Sequence, residues 1–232
     1  MDVIQQLESL AEKIGDLWME VMVVGGCSPA LILDIRLAPD LRPTHDVDIV
    51  VQAENYGKYI RFIERLKDKG FLEREGDPIG RFVSGDLAVD VIPSGTDVLG
   101  FSNRWYKKAF GHAVVKGLPS GRKIRTISSV YFIAAKIEAF RGRGQDDFMA
   151  SADLEDLLTV LVEYPPFEGD FKRSDRDVQE YISEEFRRMT SNENYPHFLS
   201  AHLRGDEASQ ASLPRLRKLF EKIAFVDSDR RS

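Results

Sequence analysis

The chain has 232 residues, of which 43% are apolar and 30% charged, and its formal net charge is −6. This length suits one α/β domain with a smaller helical part, or two small domains, and the composition excludes disordered and fibrous proteins. No apolar run approaches the ~20 residues of a membrane helix, so we expect no membrane partner. The single cysteine excludes an internal disulfide and a cysteine-based zinc site.

Charge is distributed unevenly along the chain. Residues 1–100 have a net charge of −8, residues 101–145 of +9, and residues 146–232 of −7. We refer to residues 101–145 as the basic segment. A basic segment between acidic flanks either contacts phosphates or forms a solvated surface, and both interpretations remain open.

The N-terminal region predicts a helix followed by a strand and a glycine turn. Residues 2–16 are acidic and amphipathic, without the basic region and cleavage site of a signal peptide, so we expect a cytoplasmic protein. Met22 to Val24 form a short apolar strand that ends at Gly25-Gly26. Ser28 is expected as the N-cap of a helix over Ala30 to Leu37, with Pro29 in its first position. The glycine turn is then either a seat for a phosphate or a simple corner.

The next elements place three aspartates on strands. Asp46 to Val51 predict a strand on which Asp46 and Asp48 share a face, because side chains alternate with a period of two. A hairpin with a Gly85-Asp86 turn is predicted next, and Asp90 is the isolated acid of its second arm. Around these strands the pattern predicts a helix at residues 54–69, a short strand at Phe71 to Arg74, and hairpin arms at Gly80 to Ser84 and Leu87 to Ile92.

The rest of the chain is mainly helical. After a basic helix or turn at residues 101–111, short strands are expected at Ala113 to Val115 and Lys123 to Thr126. Five helices are predicted beyond them, at residues 128–140, 153–162, 174–190, 193–203 and 212–225. We therefore expect an α/β (α+β) protein with a mixed-sheet core over residues 1–122 and a mainly helical C-terminal region over residues 123–232.

Asp46, Asp48 and Asp90 are the candidate metal ligands. Carboxylates without histidine or cysteine on the same face suit Mg²⁺ or Mn²⁺, and Mg²⁺ held by few carboxylates completes its coordination with substrate phosphates. An Asp-x-Asp pair alone is more often a loop or cap feature. The glycine turn before it and the third acid after it favour a site for a metal and a nucleotide.

These residues resemble a known superfamily. Gly25-Gly26, then Arg42-x-Thr44-x-Asp46-x-Asp48, then Asp90 are similar to the nucleotidyltransferases of the polymerase-β type. The later residues Lys136, Ala139 and Arg143, followed by Asp153, Asp156 and Leu157, resemble the AbiEii/AbiGii toxin-like nucleotidyltransferases. The resemblance covers about residues 20–162.

The resemblance implies transfer of a nucleotide from an NTP to a hydroxyl or similar acceptor, with Mg²⁺ or Mn²⁺. RNA is one such acceptor, and some members are toxins paired with an antitoxin protein. It implies that Asp46, Asp48 and Asp90 bind metal, with Asp90 as the general base. Lys136 would contact phosphate and Asp153 would orient it or the base. The residues implied to bind the nucleotide are Gly25, Gly26, Ser28, Thr44 and Arg143, with Ser28 in place of a hydroxyl that the family usually has at the position of Cys27.

Alternative interpretations stand beside these roles. Lys136 is otherwise an exposed helix lysine, Arg143 an ion-pair partner of Asp146 and Asp147, and Asp153 an acid favoured by the helix dipole. Cys27 is expected to be a small buried residue. For the whole chain the alternatives are a catalytically degenerate module that binds a nucleotide or a partner protein, and an RNA-binding protein that uses the basic segment.

Overall fold

A computed structural model of the protein describes residues 1–33, 41–95, 98–143, 148–203 and 210–225, without the side chains of Arg143 and Pro196. The chain divides into two compact units, Met1–Ser128 and Ser129–Ser232. Within the described ranges, no helix is long and apolar enough to cross a membrane.

The first unit contains a six-stranded mixed sheet, which confirms the prediction of a mixed α/β protein. The strands are β1 (Val21–Val23), β2 (Val47–Val51), β3 (Arg81–Ser84), β4 (Leu87–Pro93), β5 (Val114–Gly117) and β6 (Lys123–Thr126). Their order is β3-β4-β2-β1-β6-β5. The β2–β4 and β1–β6 pairs are parallel and the other three pairs are antiparallel.

Helices pack on one face of this sheet. Among the described residues of the first unit, the α-helices are α1 (Val3–Ile14), α2 (Ser28–Ile32), α3 (Tyr56–Asp68) and α4 (Tyr106–Gly111). The apolar faces of α1 and α3 share one buried core with alternate residues of β2 and β4, including Leu10, Leu66, Val47, Ile49 and Val89. Because side chains alternate along a strand, Asp48 and Asp90 are directed to the opposite, half-buried face.

The local signals for these elements are present in the structure. Asp2 and Gln5 form a reciprocal capping box at the start of α1. Asn55 caps α3 by accepting a hydrogen bond from the backbone N–H of Lys58 at 2.9 Å. The hairpin is confirmed, since Ser84 pairs with Leu87 across the Gly85-Asp86 turn.

Three predicted elements differ in the structure. The strand predicted from Asp46 begins at Val47, so Asp46 lies just before β2. Helix α2 begins at Ser28, with Cys27 at the cap position and no side-chain cap, so the prediction of Ser28 as N-cap was wrong. The reason is a tight turn over Gly25–Cys27 that leads directly into the helix. Helix α2 ends at Ile32, and the last predicted positions, residues 34–37, lie outside the described residues. The strand predicted at Phe71 is reduced to a single bridge between Leu72 and Val83.

In its described part the second unit contains helices and no strand. The helices are α5 (Ser129–Arg143), α6 (Ala152–Glu163), α7 (Phe167–Arg173), α8 (Arg176–Thr190), α9 (Tyr195–Ala201) and α10 (Leu213–Ala224). The rings of Phe186 and Phe220 stack at 4.1 Å between α8 and α10. Helix α7 was not predicted, because Pro165-Pro166 indicated a stop, whereas Pro166 is tolerated as the residue that precedes the first turn.

Candidate metal and nucleotide site

Two of the predicted aspartates are direct neighbours across parallel strands. Asp48 on β2 is in register with Asp90 on β4, and Asp90 is in register with Arg81 on β3. Residues directly opposite each other on paired strands project to the same face, so these three side chains form one row across the sheet. Arg81 lies at one end of this row. Its positive charge offsets the repulsion between the two adjacent carboxylates, which lets the sheet tolerate them.

The glycine turn lies against Asp48. The backbone N–H of Val24 donates to the carbonyl oxygen of Asp48 at 2.9 Å, which brings the end of β1 beside β2. Gly25 has a φ of +63°, and a Cβ at this position would lie 1.9 Å from Oδ2 of Asp48. Gly25 is therefore required twice, by its left-handed backbone and by the space that the Asp48 carboxylate occupies.

Thr44 lies between the second glycine and Asp46. A Cβ on Gly26 would lie 3.3 Å from the Thr44 hydroxyl oxygen. That hydroxyl is 3.3 Å from Oδ1 of Asp46, to which it donates a hydrogen bond. The amide of Gln6 on α1 donates to the carbonyl oxygen of Thr44 at 2.8 Å. These contacts hold the segment before β2 against the glycine turn.

Arg81 is bound to two of the three acids. Its Nε and Nη2 atoms each donate to a different oxygen of Asp90 at 2.7 Å, and Nη2 also donates to Asp46. The side chains of Arg81 and Asp90 are each 26% exposed. Principally through its hydrogen bond to Asp90, and also through attraction by Asp90 and Asp46, the pKa of Arg81 is raised above its usual range. The guanidinium therefore remains charged wherever the protein is folded.

Arg81 was not among the predicted site residues, although the sequence contains a signal for it. In a hairpin with a two-residue turn, positions equally far from the turn face each other. Arg81 lies three residues before Ser84 and Asp90 three residues after Leu87, so counting outward from the turn pairs them. Arg81 carries no motif of its own, and only the register makes it part of the site.

The donor set fits a divalent metal in its chemistry. Asp46, Asp48 and Asp90 offer the hard carboxylate oxygens that Mg²⁺ and Mn²⁺ prefer. In the arrangement seen here, however, no group of three or more His, Cys, Asp or Glu side chains among the described residues is placed to hold one metal ion. The carboxylates of Asp46 and Asp90 instead share the Arg81 guanidinium.

Two neighbours of the turn are directed into the protein. Ser28 is fully buried, and its hydroxyl donates to the carbonyl oxygen of Val23 at 3.3 Å. That hydrogen bond directs the predicted phosphate-binding hydroxyl towards β1. Cys27 is also fully buried, and its sulfur lies 3.5 Å from the carbonyl oxygen of Asp46.

The remaining predicted site residues lie in the second unit. Lys136 on α5 is only 7% exposed, which contradicts its interpretation as an exposed lysine. Its ammonium donates to Asp153 at 3.0 Å and to Asp156 at 2.6 Å, both on α6. Arg143 is the last residue of α5 and its side chain lies outside the described part, as do Asp146 and Asp147.

The predicted residues thus form two groups. The first unit brings together the two glycines, Thr44 and the three aspartates, and the second unit joins Lys136 to Asp153. Comparison of the sequence with models of protein families finds no match, and comparison with curated proteins finds none either.

Proposed function

We propose that this protein is a metal-dependent nucleotidyltransferase that moves a nucleotide from an NTP to a hydroxyl acceptor. The observation that carries the proposal is the register of Asp48 with Asp90, with Gly25 packed against Asp48. It joins in one place the acids and the glycine turn, which are separate in the sequence. The function itself is supported by the resemblance of these residues to nucleotidyltransferases.

The residues of the first unit have distinct roles in this proposal. The N–H groups of the turn at Gly25 and Gly26 bind the triphosphate, because backbone donors next to a helix start attract anions. Asp46, Asp48 and Asp90 hold Mg²⁺ or Mn²⁺, which neutralises charge on the phosphates when it is bound. Asp90 also accepts the proton of the acceptor hydroxyl, as a general base, while the hydroxyl oxygen forms a bond to the α-phosphorus of the NTP and pyrophosphate leaves.

The role of Lys136 in this proposal, contact with a phosphate, comes from the resemblance alone. Within the second unit its ammonium donates to Asp153 and Asp156. We propose RNA as the acceptor because the basic segment, residues 101–145, has a net charge of +9. A segment with this much positive charge attracts a polyanion such as RNA. A partner antitoxin follows from the resemblance alone and stays a prediction.

Label transfer from α-³²P NTPs, tried one base at a time, tests the proposal on cell RNA and on protein extract. Wild type is expected to label an acceptor in the presence of Mg²⁺ or Mn²⁺. Asp48→Asn is expected to lower labelling about a thousandfold, the scale on which a loss of transition-state electrostatics acts. Asp86→Asn, which removes an exposed acid in the hairpin turn, is the matched control and retains the activity. Equal labelling by wild type and Asp48→Asn would refute the proposal.

The second candidate is a nucleotide-binding module without catalysis. The contacts of Arg81 with Asp46 and Asp90 favour it, because they engage the acids that a metal requires. Such a module would show thermal stabilisation by NTP with no labelling of any acceptor. Thermal stabilisation by NTP together with labelling of an acceptor would instead support the nucleotidyltransferase.

A further inference from the structure

Arg81 has no role in the chemistry proposed above, yet it makes the strongest contacts within the acid row. Its guanidinium binds Asp90 through two parallel hydrogen bonds and also reaches Asp46. Paired N–H donors on one carboxylate are the most favourable geometry for this ion pair. The contacts use carboxylate oxygens on which the proposed metal site depends.

We propose that Arg81 is an internal counter-cation that competes with the divalent metal for Asp46 and Asp90. The inference rests on the proposed function and concerns regulation of the same site. With the guanidinium on both acids the site is closed to metal, and the metal binds once Arg81 withdraws. The concentration of free metal then controls the fraction of protein molecules that hold the metal and can transfer a nucleotide.

The metal ion and the Arg81 guanidinium exclude each other for steric and electrostatic reasons. An oxygen that ligates Mg²⁺ at about 2.1 Å leaves no room for a guanidinium nitrogen at hydrogen-bond distance in the same direction. A divalent ion and a guanidinium on the same carboxylate also repel at short range. Without either cation, the neighbouring charges of Asp48 and Asp90 repel each other across the strands.

The exchange can take place by side-chain movement while the backbone around Arg81 stays in place. Arg81 is the first residue of β3, and the strand is held by its pairing with β4. The backbone N–H of Val91 donates to the carbonyl oxygen of Gly80 at 2.8 Å, so the start of the strand is also fixed. The long Arg81 side chain can rotate away from the acids while these backbone bonds remain.

Titration of Mn²⁺ against the full-length protein, followed by electron paramagnetic resonance of the free ion, tests the competition. Arg81→Gln is expected to bind Mn²⁺ about tenfold more tightly than wild type, since a cation is removed from the ligands. Arg81→Lys should lie between the two, because a lysine keeps the charge without the paired hydrogen bonds. Arg65→Gln is the matched control: Arg65 binds Glu20 at 2.7 Å on the surface and its loss should leave Mn²⁺ affinity unchanged.

The outcomes separate the two proposals. Equal Mn²⁺ affinity of wild type and Arg81→Gln, with binding lost in Asp48→Asn, overturns the competition and leaves the proposed function in place. Equal affinity of wild type and Asp48→Asn refutes the metal site itself. Thermal unfolding provides a second readout in case Arg81→Gln folds poorly. The melting temperature of Arg81→Gln should lie below that of wild type in EDTA, and Mn²⁺ should restore it. Failure of Mn²⁺ to restore its melting temperature also overturns the competition.

Discussion

At the scale of single residues, Gly25 shows how one missing side chain shapes the site. Its φ of +63° is accessible to glycine at little cost, and its bare Cα lets Asp48 approach the turn. Gly70 is a useful comparison, since it has a φ of +84° but no atom within 4 Å of the position that a Cβ would take. The two glycines share the backbone requirement and differ in the space around them.

Gly25→Ala is therefore expected to cost more stability than Gly70→Ala. Both variants lose roughly 1–2 kcal/mol from the left-handed backbone. Gly25→Ala should lose about 1–3 kcal/mol more, because the new methyl group overlaps Asp48 and forces it to move. Urea unfolding measures both costs, and equal losses would show that Asp48 does not lie against the turn.

Much of the residue-scale account was predictable from the sequence. Alternation predicted Asp46 and Asp48 on one face of a strand, but β2 begins at Val47, so Asp46 lies just before it. The hairpin turn predicted Asp90 on a strand, which the structure confirms. The inward orientation of the Ser28 hydroxyl was not predictable, because it depends on how the turn enters α2. Arg81 was missed because motifs are read along the chain, whereas its partner is reached only across a strand pair.

At the scale of elements, Lys136 connects two helices. It is a buried cation on α5 that meets two carboxylates on α6. The helical pattern predicted both helices but not the burial of this lysine, since periodicity does not reveal which polar residues find partners. The pairing of Lys136 with these two carboxylates stabilises the fold whether or not a ligand binds. Removing it should therefore lower the free energy of unfolding.

Lys136→Met is expected to destabilise the protein by about 3–5 kcal/mol, because it removes the ammonium from the buried Asp156 and the partly buried Asp153. Lys172→Met is the control: Lys172 binds Glu168 at 2.6 Å with 55% of its side chain exposed, and such a pair contributes less than about 1 kcal/mol. Denaturant midpoints for the two variants measure the difference. Similar midpoints would show that the α5–α6 pair is solvated.

Helices α7 and α10 are joined by a carboxylate that gives a pH dependence. Glu168 accepts hydrogen bonds from Lys172 and from Lys222, each at 2.6 Å. These bonds, that from Lys172 first, lower the pKa of Glu168 below its ordinary value of 4.5. A lowered pKa in the folded state means that the stabilisation is present above pH 4.5 and is lost as the pH falls through the folded-state pKa.

Glu168→Gln should accordingly be less stable than wild type near neutral pH, where the carboxylate is charged. The gap between their urea midpoints should close as the pH is lowered below 4.5, because wild type then carries a neutral side chain too. Urea titrations at about pH 7 and about pH 3 measure the gap. A gap that stays constant between these values would contradict the pairing.

At the scale of the whole molecule, the division into two units follows the elements. All six strands and their apolar core belong to Met1–Ser128, including β6 at Lys123–Thr126. The sequence predicted a mixed sheet over residues 1–122 followed by a mainly helical region from residue 123, which assigned the strand at Lys123–Thr126 to the helical region. The order of the strands was not predictable, because pairing such as that of β1 with β6 joins segments far apart in the chain.

A fragment of residues 1–128 is expected to fold and to bind Mn²⁺, because it contains the whole sheet and all three aspartates. It should not transfer label from an NTP, since it lacks Lys136 and Asp153. Circular dichroism and Mn²⁺ titration measure the first expectation and the labelling assay the second. Full transfer activity in the fragment would show that the second unit takes no part in the proposed reaction.

The most direct test of the central claim is the position of a metal ion at the acid row. Crystals grown with Mn²⁺ and a non-hydrolysable NTP analogue would locate the ion by its anomalous scattering. The account predicts an ion bound by Asp46, Asp48 and Asp90. It also predicts that Arg81 has withdrawn and that phosphates lie beside Gly25 and Gly26. Bound nucleotide with no ion at these acids, and with Arg81 still paired to Asp46 and Asp90, would contradict it.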